Sequence, residues 1–108
     1  MNLTNKVVVI SGGASGLGLA TAQYMVRNKG AKVALLDMNQ EAGEAAVADL
    51  GKDKAMFCRT DVTSEEDVDN AIAAIIDGFG AIHADINAAG IVAPAKILNR
   101  EGKASALA

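Results

Sequence analysis

The sequence is poor in aromatic, cysteine and histidine side chains, and these shortages exclude several kinds of site. Its 108 residues include one Tyr, two Phe and no Trp, together with a single Cys and a single His. A lone Cys58 cannot form an internal disulfide, and a lone His83 provides too few ligands for a zinc site. We therefore expect no metal centre, and we interpret Cys58 as a small core residue rather than a nucleophile.

Clusters of positive charge and long apolar runs are also missing. Ten Lys and Arg residues against thirteen Asp and Glu give a net charge of −3, and no basic run suited to nucleic acid or an anionic membrane is present. The apolar run nearest the N-terminus, residues 7–10, is too short for a signal peptide or a membrane span. The sequence therefore predicts a cytoplasmic protein that binds neither nucleic acid nor membranes.

What the chain does contain is a regular alternation of strand-length and helix-length segments, repeating about every 25 residues. Apolar runs predict strands at residues 6–10, 32–36, 55–59 and 82–87, and the segments between them predict helices at residues 17–29, 40–50 and 64–79. Gly30, Gly51 and Gly80 follow the three helices, where left-handed glycine caps belong. This order predicts an α/β fold, a partial Rossmann-type doubly wound parallel sheet (βαβαβαβ) with strand order 3-2-1-4.

The third predicted helix has the strongest start signal. Thr63 or Ser64 can cap its free N–H groups, and Glu66 or Asp67 would complete a capping box. These acidic residues, together with Glu65, lie where the helix dipole is positive.

Three polar residues have no predicted function. Tyr24, in the first predicted helix, is interpreted as a core residue with a solvated hydroxyl, and His83 as a strand-start residue in contact with water. Asp85 lies in the fourth predicted strand, where a buried carboxylate without a partner would cost several kcal/mol. Its charge is explained if this strand lies at an exposed edge of the sheet, because a charge there opposes edge-to-edge pairing.

Glycines crowd the junction between the first strand and the first helix. The segment VVVISGGASGLGLA (residues 7–20) places Gly12, Gly16 and Gly18 in the spacing G-x-x-x-G-x-G. Side chains are excluded where phosphates meet backbone N–H groups at a helix N-terminus, so this spacing favours an anion-binding loop. A tight connection without a ligand would also use glycine. No Gly-Lys-Ser/Thr follows, which argues against nucleoside triphosphate hydrolysis.

Acidic residues follow the next two predicted strands. Asp37 lies about twenty residues beyond the glycine loop, where a carboxylate can accept both hydroxyls of an adenosine ribose. Asp61 and Val62 follow the third strand, where they can reach adenine. Each acid could instead be a solvated turn residue or a helix cap. Because the carboxyl ends of the strands meet at one crevice, the pattern predicts a site for a dinucleotide or for S-adenosylmethionine.

The motifs resemble those of the short-chain dehydrogenase/reductase family over residues 6–90. SGGASGLG resembles the family's T-G-x-x-x-G-x-G cofactor loop, with Ser11 in place of Thr, and DVT at residues 61–63 resembles its adenine-contact motif. NAAG at residues 87–90 resembles N-N-A-G, with Ala88 in place of the second Asn. Within the family, the chain looks most like the branch of type-2 3-hydroxyacyl-CoA dehydrogenases, which also oxidise hydroxysteroids.

The resemblance implies an NAD-dependent oxidoreductase that transfers a hydride between the cofactor and a secondary alcohol or ketone, with 3-hydroxyacyl-CoA as a candidate substrate. The full-length enzyme is expected to be a homo-oligomer with a small-molecule substrate. The implied cofactor contacts are Gly12, Ser15, Gly16, Leu17 and Gly18 for the pyrophosphate, Asp37 for the adenosine ribose, Asp61 and Val62 for adenine, and Ala88, Ala89 and Gly90 near the nicotinamide.

The same resemblance favours NAD over NADP. A 2′-phosphate would meet the carboxylate of Asp37, and the glycine loop contains no Lys or Arg to attract it. We therefore expect such a phosphate to find no cation.

The family's proton-transfer residues are not found in these 108 residues. The family uses a Tyr, a Lys four residues later and a Ser, whereas this sequence has no Tyr-x-x-x-Lys. We therefore expect residues 1–90 to form the dinucleotide-binding half of a dehydrogenase. Residues 91–108 would lead toward an absent catalytic half, so that the 108 residues alone are inactive. A non-catalytic dinucleotide-binding domain is the alternative.

Overall fold

Four parallel strands form the sheet at the centre of the molecule. The computed structural model describes residues 2–88. Their elements alternate in the order β1 (Val7–Ser11), α1 (Gly16–Lys29), β2 (Lys32–Asp37), α2 (Gln40–Leu50), β3 (Ala55–Arg59), α3 (Glu65–Phe79) and β4 (Ala84–Asn87). The strand order is β3-β2-β1-β4, with every pair parallel. The predicted α/β Rossmann-type fold and its strand order are confirmed.

Helices cover both faces of the sheet, because successive strand residues send apolar side chains to opposite faces. Helices α1 and α2 cover one face, where the buried cluster consists of Val8, Ile10, Ala22, Ala31, Val33, Leu35, Ala46 and Ala55. Helix α3 covers the other face, where the buried cluster consists of Val7, Val9, Ala34, Leu36, Ala71 and Ile75. Within residues 2–88, the helices therefore lie over the two faces of the sheet and not over its carboxyl edge.

The fourth strand begins two residues later than predicted, and the His83 ring provides the reason. Its Nδ1 accepts a hydrogen bond from the backbone N–H of Val7 at 2.9 Å. The backbone N–H of His83 donates to the carbonyl oxygen of Val7 at 2.8 Å. A side chain therefore replaces a backbone acceptor at this point, and regular pairing begins at Ala84. His83 is exposed, as predicted.

Two of the three predicted glycine caps are confirmed. Gly30 and Gly80 end their helices in the left-handed conformation, with φ of 68° and 85°. Gly51 has φ 97° and ψ 139°, so the prediction of a left-handed cap there was wrong. Its carbonyl oxygen accepts from the N–H groups of Lys54 and Ala55 at 3.0 and 2.9 Å, and this turn sets its orientation.

Ser64, and not Thr63, caps α3, but the predicted capping box does not form. The Ser64 hydroxyl accepts from the N–H of Asp67 at 3.2 Å. The Asp67 carboxylate reaches past Ser64 and accepts from the N–H of Asp61 at 3.0 Å. The Ser64 N–H donates instead to the carbonyl oxygen of Asp61 at 2.9 Å. The start of α3 is therefore joined to the loop that precedes it.

The prediction that Tyr24 is a core residue was wrong. Gly18 and Ala22 form the buried stripe of α1, and Tyr24 lies outside it with 51% of its surface exposed. The Lys29 ammonium lies 5.8 Å from the centre of the Tyr24 ring.

Cys58 packs, half-buried, against the cluster on the α3 face, and this burial raises the pKa of its thiol.

Asp85 lies on the strand at one edge of the described sheet. It is exposed, and it pairs in register with Val9 of β1. A charge on an exposed edge strand opposes edge-to-edge pairing, which is the role expected for Asp85 from the sequence.

None of the helices in residues 2–88 combines the length and hydropathy needed to cross a bilayer; the longest, α3, has 15 residues.

Candidate functional site

The glycine loop folds back onto the end of β2. The N–H groups of Gly12 and Gly13 both approach the carbonyl oxygen of Leu36, at 2.7 and 3.4 Å. The next N–H, that of Ala14, donates to Oδ2 of Asp37 at 3.2 Å. Three consecutive loop amides therefore point toward the end of the neighbouring strand, which fixes the path of the loop at the carboxyl edge of the sheet.

Gly16 and Gly18 serve this loop in different ways. A Cβ on Gly18 would overlap the carbonyl oxygen of Gly12, so a side chain there would push the first helical turn away from the loop. Gly16 has φ 57°, and nothing lies within 4 Å of the position of a Cβ. The loop therefore needs Gly18 for its own packing, whereas Gly16 leaves open space on the outer side of the turn.

The N-terminus of α1 is left uncapped by its own side chains. Ser15 stands at the N-cap in an extended conformation, yet its hydroxyl makes no capping hydrogen bond. No acidic residue lies in the first turn, and Ser15, Gly16 and Leu17 are exposed. Helix geometry leaves the first N–H groups without intrahelical partners, and they carry partial positive charge. This end of α1 can bind an anion such as a phosphate.

Asp37 lies beside this helix end, as the sequence predicts. Its Oδ1 accepts from the N–H of Asn39 at 3.0 Å, and its Oδ2 accepts from the N–H of Ala14. A carboxylate has about four acceptor positions, so these two bonds orient the group and leave capacity for further donors. Hydroxyl groups of a sugar are donors of the required kind.

Asp61 lies in the loop after β3, with Val62 next to it 40% exposed. Its Oδ1 accepts from both the N–H and the hydroxyl of Thr63, at 2.9 and 2.6 Å. These hydrogen bonds hold the pKa of the Asp61 carboxyl below its ordinary value, with a smaller contribution from the charge of Arg59. Oδ2 accepts no hydrogen bond among those found in residues 2–88, so it is available to a donor such as an amino group.

The end of β4 passes next to the start of the glycine loop. The N–H of Ala88 donates to the carbonyl oxygen of Ser11 at 3.0 Å, and Ala88 is half-buried. The other two predicted residues of this segment, Ala89 and Gly90, lie outside the described residues. The structure thus brings the ends of all four strands to one edge, with the roles of the predicted residues as cofactor contacts still predictions.

Sequence reasoning missed one charged residue at this edge. Arg59 is the last residue of β3, and its Cα pairs in register with that of Asp37. The expectation that a 2′-phosphate would find no cation considered the glycine loop and Asp37, and it stays a prediction. The signal was present in the sequence, because the final residues of two neighbouring parallel strands lie side by side.

Comparison with known proteins agrees with this geometry. The family model described as "short chain dehydrogenase" matches residues 6–106. The chain belongs to the short-chain dehydrogenase family. The resemblance drawn from the glycine loop, DVT and NAAG is thereby confirmed.

Relatives of known name and structure fit the same family. The chain is 46% identical over 93 residues to human 3-hydroxyacyl-CoA dehydrogenase type-2, covering 86% of this chain and 35% of the relative. It is 38% identical over 92 residues to short-chain dehydrogenase reductase 3a of Arabidopsis thaliana, covering 85% of this chain and 35% of the relative. The chain therefore spans about a third of the length of these relatives.

Solved structures of the family share the fold. A 3-ketoacyl-(acyl-carrier-protein) reductase from Brucella melitensis, complexed with NADH, aligns with a TM-score of 0.73 at 32% identity, covering 77% of this chain and 33% of that one. A short-chain dehydrogenase/reductase from Burkholderia phymatum, in complex with NAD, aligns with a TM-score of 0.73 at 30% identity, covering 79% of this chain and 31% of that one.

Proposed function

We propose that this chain holds the adenosine and pyrophosphate of NAD for an oxidoreductase that transfers a hydride between the cofactor and a secondary alcohol or ketone. The observation that carries the proposal is the open N-terminus of α1 beside the Asp37 carboxylate, which together offer donors to phosphate and acceptors to ribose. The family and the two similar structures with NADH and NAD support it.

Each part of the cofactor has a place along the carboxyl edge. The first N–H groups of α1 and the Ser15 hydroxyl would bind the pyrophosphate. Asp37 would accept the ribose hydroxyls, and the free oxygen of Asp61 would accept the amino group of adenine beside Val62. Ala88 would bring its backbone toward the nicotinamide ribose.

The chemistry that NAD supplies when bound is the loss or gain of a hydride at nicotinamide. The residues of this chain would bind and orient the cofactor. Among its 108 residues there is one Tyr, and it lies on the outer side of α1, so we assign the proton transfer to groups other than Tyr24. The similarity to 3-hydroxyacyl-CoA dehydrogenase type-2 makes 3-hydroxyacyl-CoA the first substrate class to test.

Isothermal titration of the full chain with NAD, NADP and S-adenosylmethionine tests the binding proposal. We expect NAD to bind more tightly than NADP, because Asp37 accepts hydroxyl hydrogen bonds and repels a 2′-phosphate. S-adenosylmethionine offers the α1 N-terminus a single carboxylate in place of a pyrophosphate, so it should bind more weakly than NAD. Equal affinities for NAD and NADP would refute the role given to Asp37, and a chain that binds neither dinucleotide would refute the proposal.

Turnover separates the oxidoreductase from a non-catalytic binding domain. The 108 residues should bind NAD without reducing it in the presence of a 3-hydroxyacyl-CoA. A protein that continues this sequence with a Ser and a Tyr-x-x-x-Lys should reduce NAD.

We further propose that this longer protein is a cytoplasmic homo-oligomer that acts on a small molecule. Light scattering tests the oligomeric state, and a monomer would refute the proposed homo-oligomer.

A further inference from the structure

Arg59 lies next to the carboxylate that is proposed to hold the adenosine ribose. Residues two apart on a strand share a face. Leu35 and Phe57 both pack in the cluster on the α1 and α2 face, so Asp37 and Arg59, two residues further along their strands, lie on this face too. The Cα atoms of Asp37 and Arg59 are partners across β2 and β3. Neighbouring strands are about 4.8 Å apart, so the two side chains start from adjacent points on the same face of the sheet.

The surroundings of Arg59 leave room for a ligand group. It lines a cavity of about 640 Å³ together with Gln40 and Glu44, which belong to the first turns of α2. The ion pair found within residues 2–88 joins Arg27 to Asp49 at 2.7 Å, and Arg59 takes no part in one. Its guanidinium acts through its charge on the Asp61 carboxylate but donates none of the side-chain hydrogen bonds found in residues 2–88, so its donors are available to another partner.

Arg59 is also the one cation at the carboxyl edge in the part of the chain that the structure describes. The other cations lie at the opposite edge, either in the last turn of α1 or at the starts of strands and in the segments leading to them: Lys6, Arg27, Lys29, Lys32, Lys52 and Lys54. Within residues 2–88 the same edge carries several acids, among them Asp37, Asp61 and the first turn of α3. A dinucleotide, which is itself an anion, would meet Arg59 as the one positive side chain that these residues place there.

We propose that Arg59 is a second specificity-determining residue at the adenosine ribose, where it attracts the 2′-phosphate that Asp37 repels. The proposal rests on the proposed dinucleotide function and refines it. A guanidinium presents paired N–H donors that match phosphate oxygens, so a phosphorylated ribose gains from Arg59 what a plain ribose does not. Asp37 then favours NAD and Arg59 favours NADP. Arg59 therefore reduces the difference between the two affinities.

Affinities of the full chain for NAD and NADP, measured by calorimetry at low salt, test this assignment. Arg59→Met keeps most of the side-chain length and removes the charge. We expect it to weaken NADP binding about tenfold and to change NAD binding by less than about twofold. Asp37→Ser should strengthen NADP binding, and adding Arg59→Met to Asp37→Ser should remove most of that gain. Arg59→Lys should restore part of the NADP affinity.

Arg27→Met is the matched control, because it removes the same charge from an exposed position at the far end of α1. It should leave the ratio of the two affinities unchanged, and circular dichroism checks that every variant is folded. Equal weakening of NAD and NADP in Arg59→Met, or no change in either, would overturn the assignment. Failure of the wild-type chain to bind either cofactor is a different result, which refutes the proposed function itself.

Discussion

The N-termini of α1 and α3 have opposite arrangements, although both helices begin at a serine N-cap at the same edge of the sheet. In α3, the Ser64 hydroxyl caps the helix, and Glu65, Glu66 and Asp67 fill its first turn. In α1, the Ser15 hydroxyl caps nothing and the first turn has no acid. Both helices have the same backbone dipole. The side chains alone decide which helix end is satisfied internally and which is left for a ligand.

Stability and binding therefore trade against each other at the two ends. A serine N-cap bond is worth about 1 kcal/mol to a helix, and α1 goes without it. The N–H groups that it would have satisfied are the ones that an anionic ligand can use. Substitutions that make one helix start resemble the other should shift this balance in opposite directions.

The largest effect is expected where the start of α1 packs on its own loop. Gly18→Ala should lower the free energy of unfolding by about 3 kcal/mol or more, because the new Cβ overlaps the Gly12 carbonyl oxygen and backbone must move. Gly16→Ala is the control, since its Cβ meets open space and costs only about 1 kcal/mol through its positive φ. Urea unfolding followed by circular dichroism compares the two, and equal losses would mean that the close approach does not matter.

Adding an acid to the first turn of α1 should give it the electrostatics of α3. Leu17 is 56% exposed and occupies the position that Glu66 occupies in α3, so Leu17→Glu leaves packing intact. NAD affinity should fall about a hundredfold, because a carboxylate faces the pyrophosphate, while stability stays the same or rises slightly.

The reciprocal variant, Glu66→Leu, should leave NAD affinity unchanged in the same titration. If Leu17→Glu binds NAD as tightly as the wild-type chain does, the α1 N-terminus is not the pyrophosphate site.

A smaller effect is expected from removing each N-cap hydroxyl. Ser64→Ala should cost about 1 kcal/mol of stability and leave NAD affinity unchanged. Ser15→Ala should change stability by less than about 0.5 kcal/mol and weaken NAD binding several-fold, because its hydroxyl caps nothing in the free chain. Thermal unfolding measures the stability change of each variant, and calorimetry measures its NAD affinity. If both variants lose stability and affinity to the same extent, the two helix N-termini do not differ as described.

The smallest effect concerns the acidity of Asp61. Its folded-state pKa is lowered chiefly by the Thr63 hydroxyl, so its contribution to stability is present above the unfolded-state pKa. That contribution is lost as the pH falls through the lower folded-state value. Thr63→Val should raise the pKa of Asp61 toward its ordinary value, as followed by the carboxyl carbon resonance. An unchanged titration would mean that the hydroxyl bond does not form in solution.

The course of the sheet could be predicted from the sequence because its signals are local. Apolar runs fixed the strands, and the bounds predicted for α2 and β3 agree with Gln40–Leu50 and Ala55–Arg59. The periodicity of apolar residues does not determine which acceptor a given backbone N–H binds. The Val7 N–H donates to the His83 ring where a regular ladder would use a backbone carbonyl, and β4 begins only at Ala84.

The places of the candidate site residues could be predicted, but the contacts around them could not. Motif spacing puts Gly12, Gly18 and Asp37 at the carboxyl edge, and their roles as cofactor contacts stay predictions. The Asp67 carboxylate could reach the N–H of Ser64 or that of Asp61, and the loop geometry that chooses Asp61 is a tertiary property. Arg59 becomes relevant only once β3 is placed in register beside β2.

The hydrogen bonds between the glycine loop and β2 fix the spacing of two groups at the carboxyl edge. The amides of Gly12 and Gly13 approach one carbonyl oxygen of β2, and that of Ala14 donates to Asp37, so the loop and the carboxylate are held together before any ligand arrives. If the proposed function is right, little chain entropy would remain to be lost on binding. The fixed spacing would then suit an adenosine diphosphate group better than a nucleoside monophosphate, which would contact only one of the two.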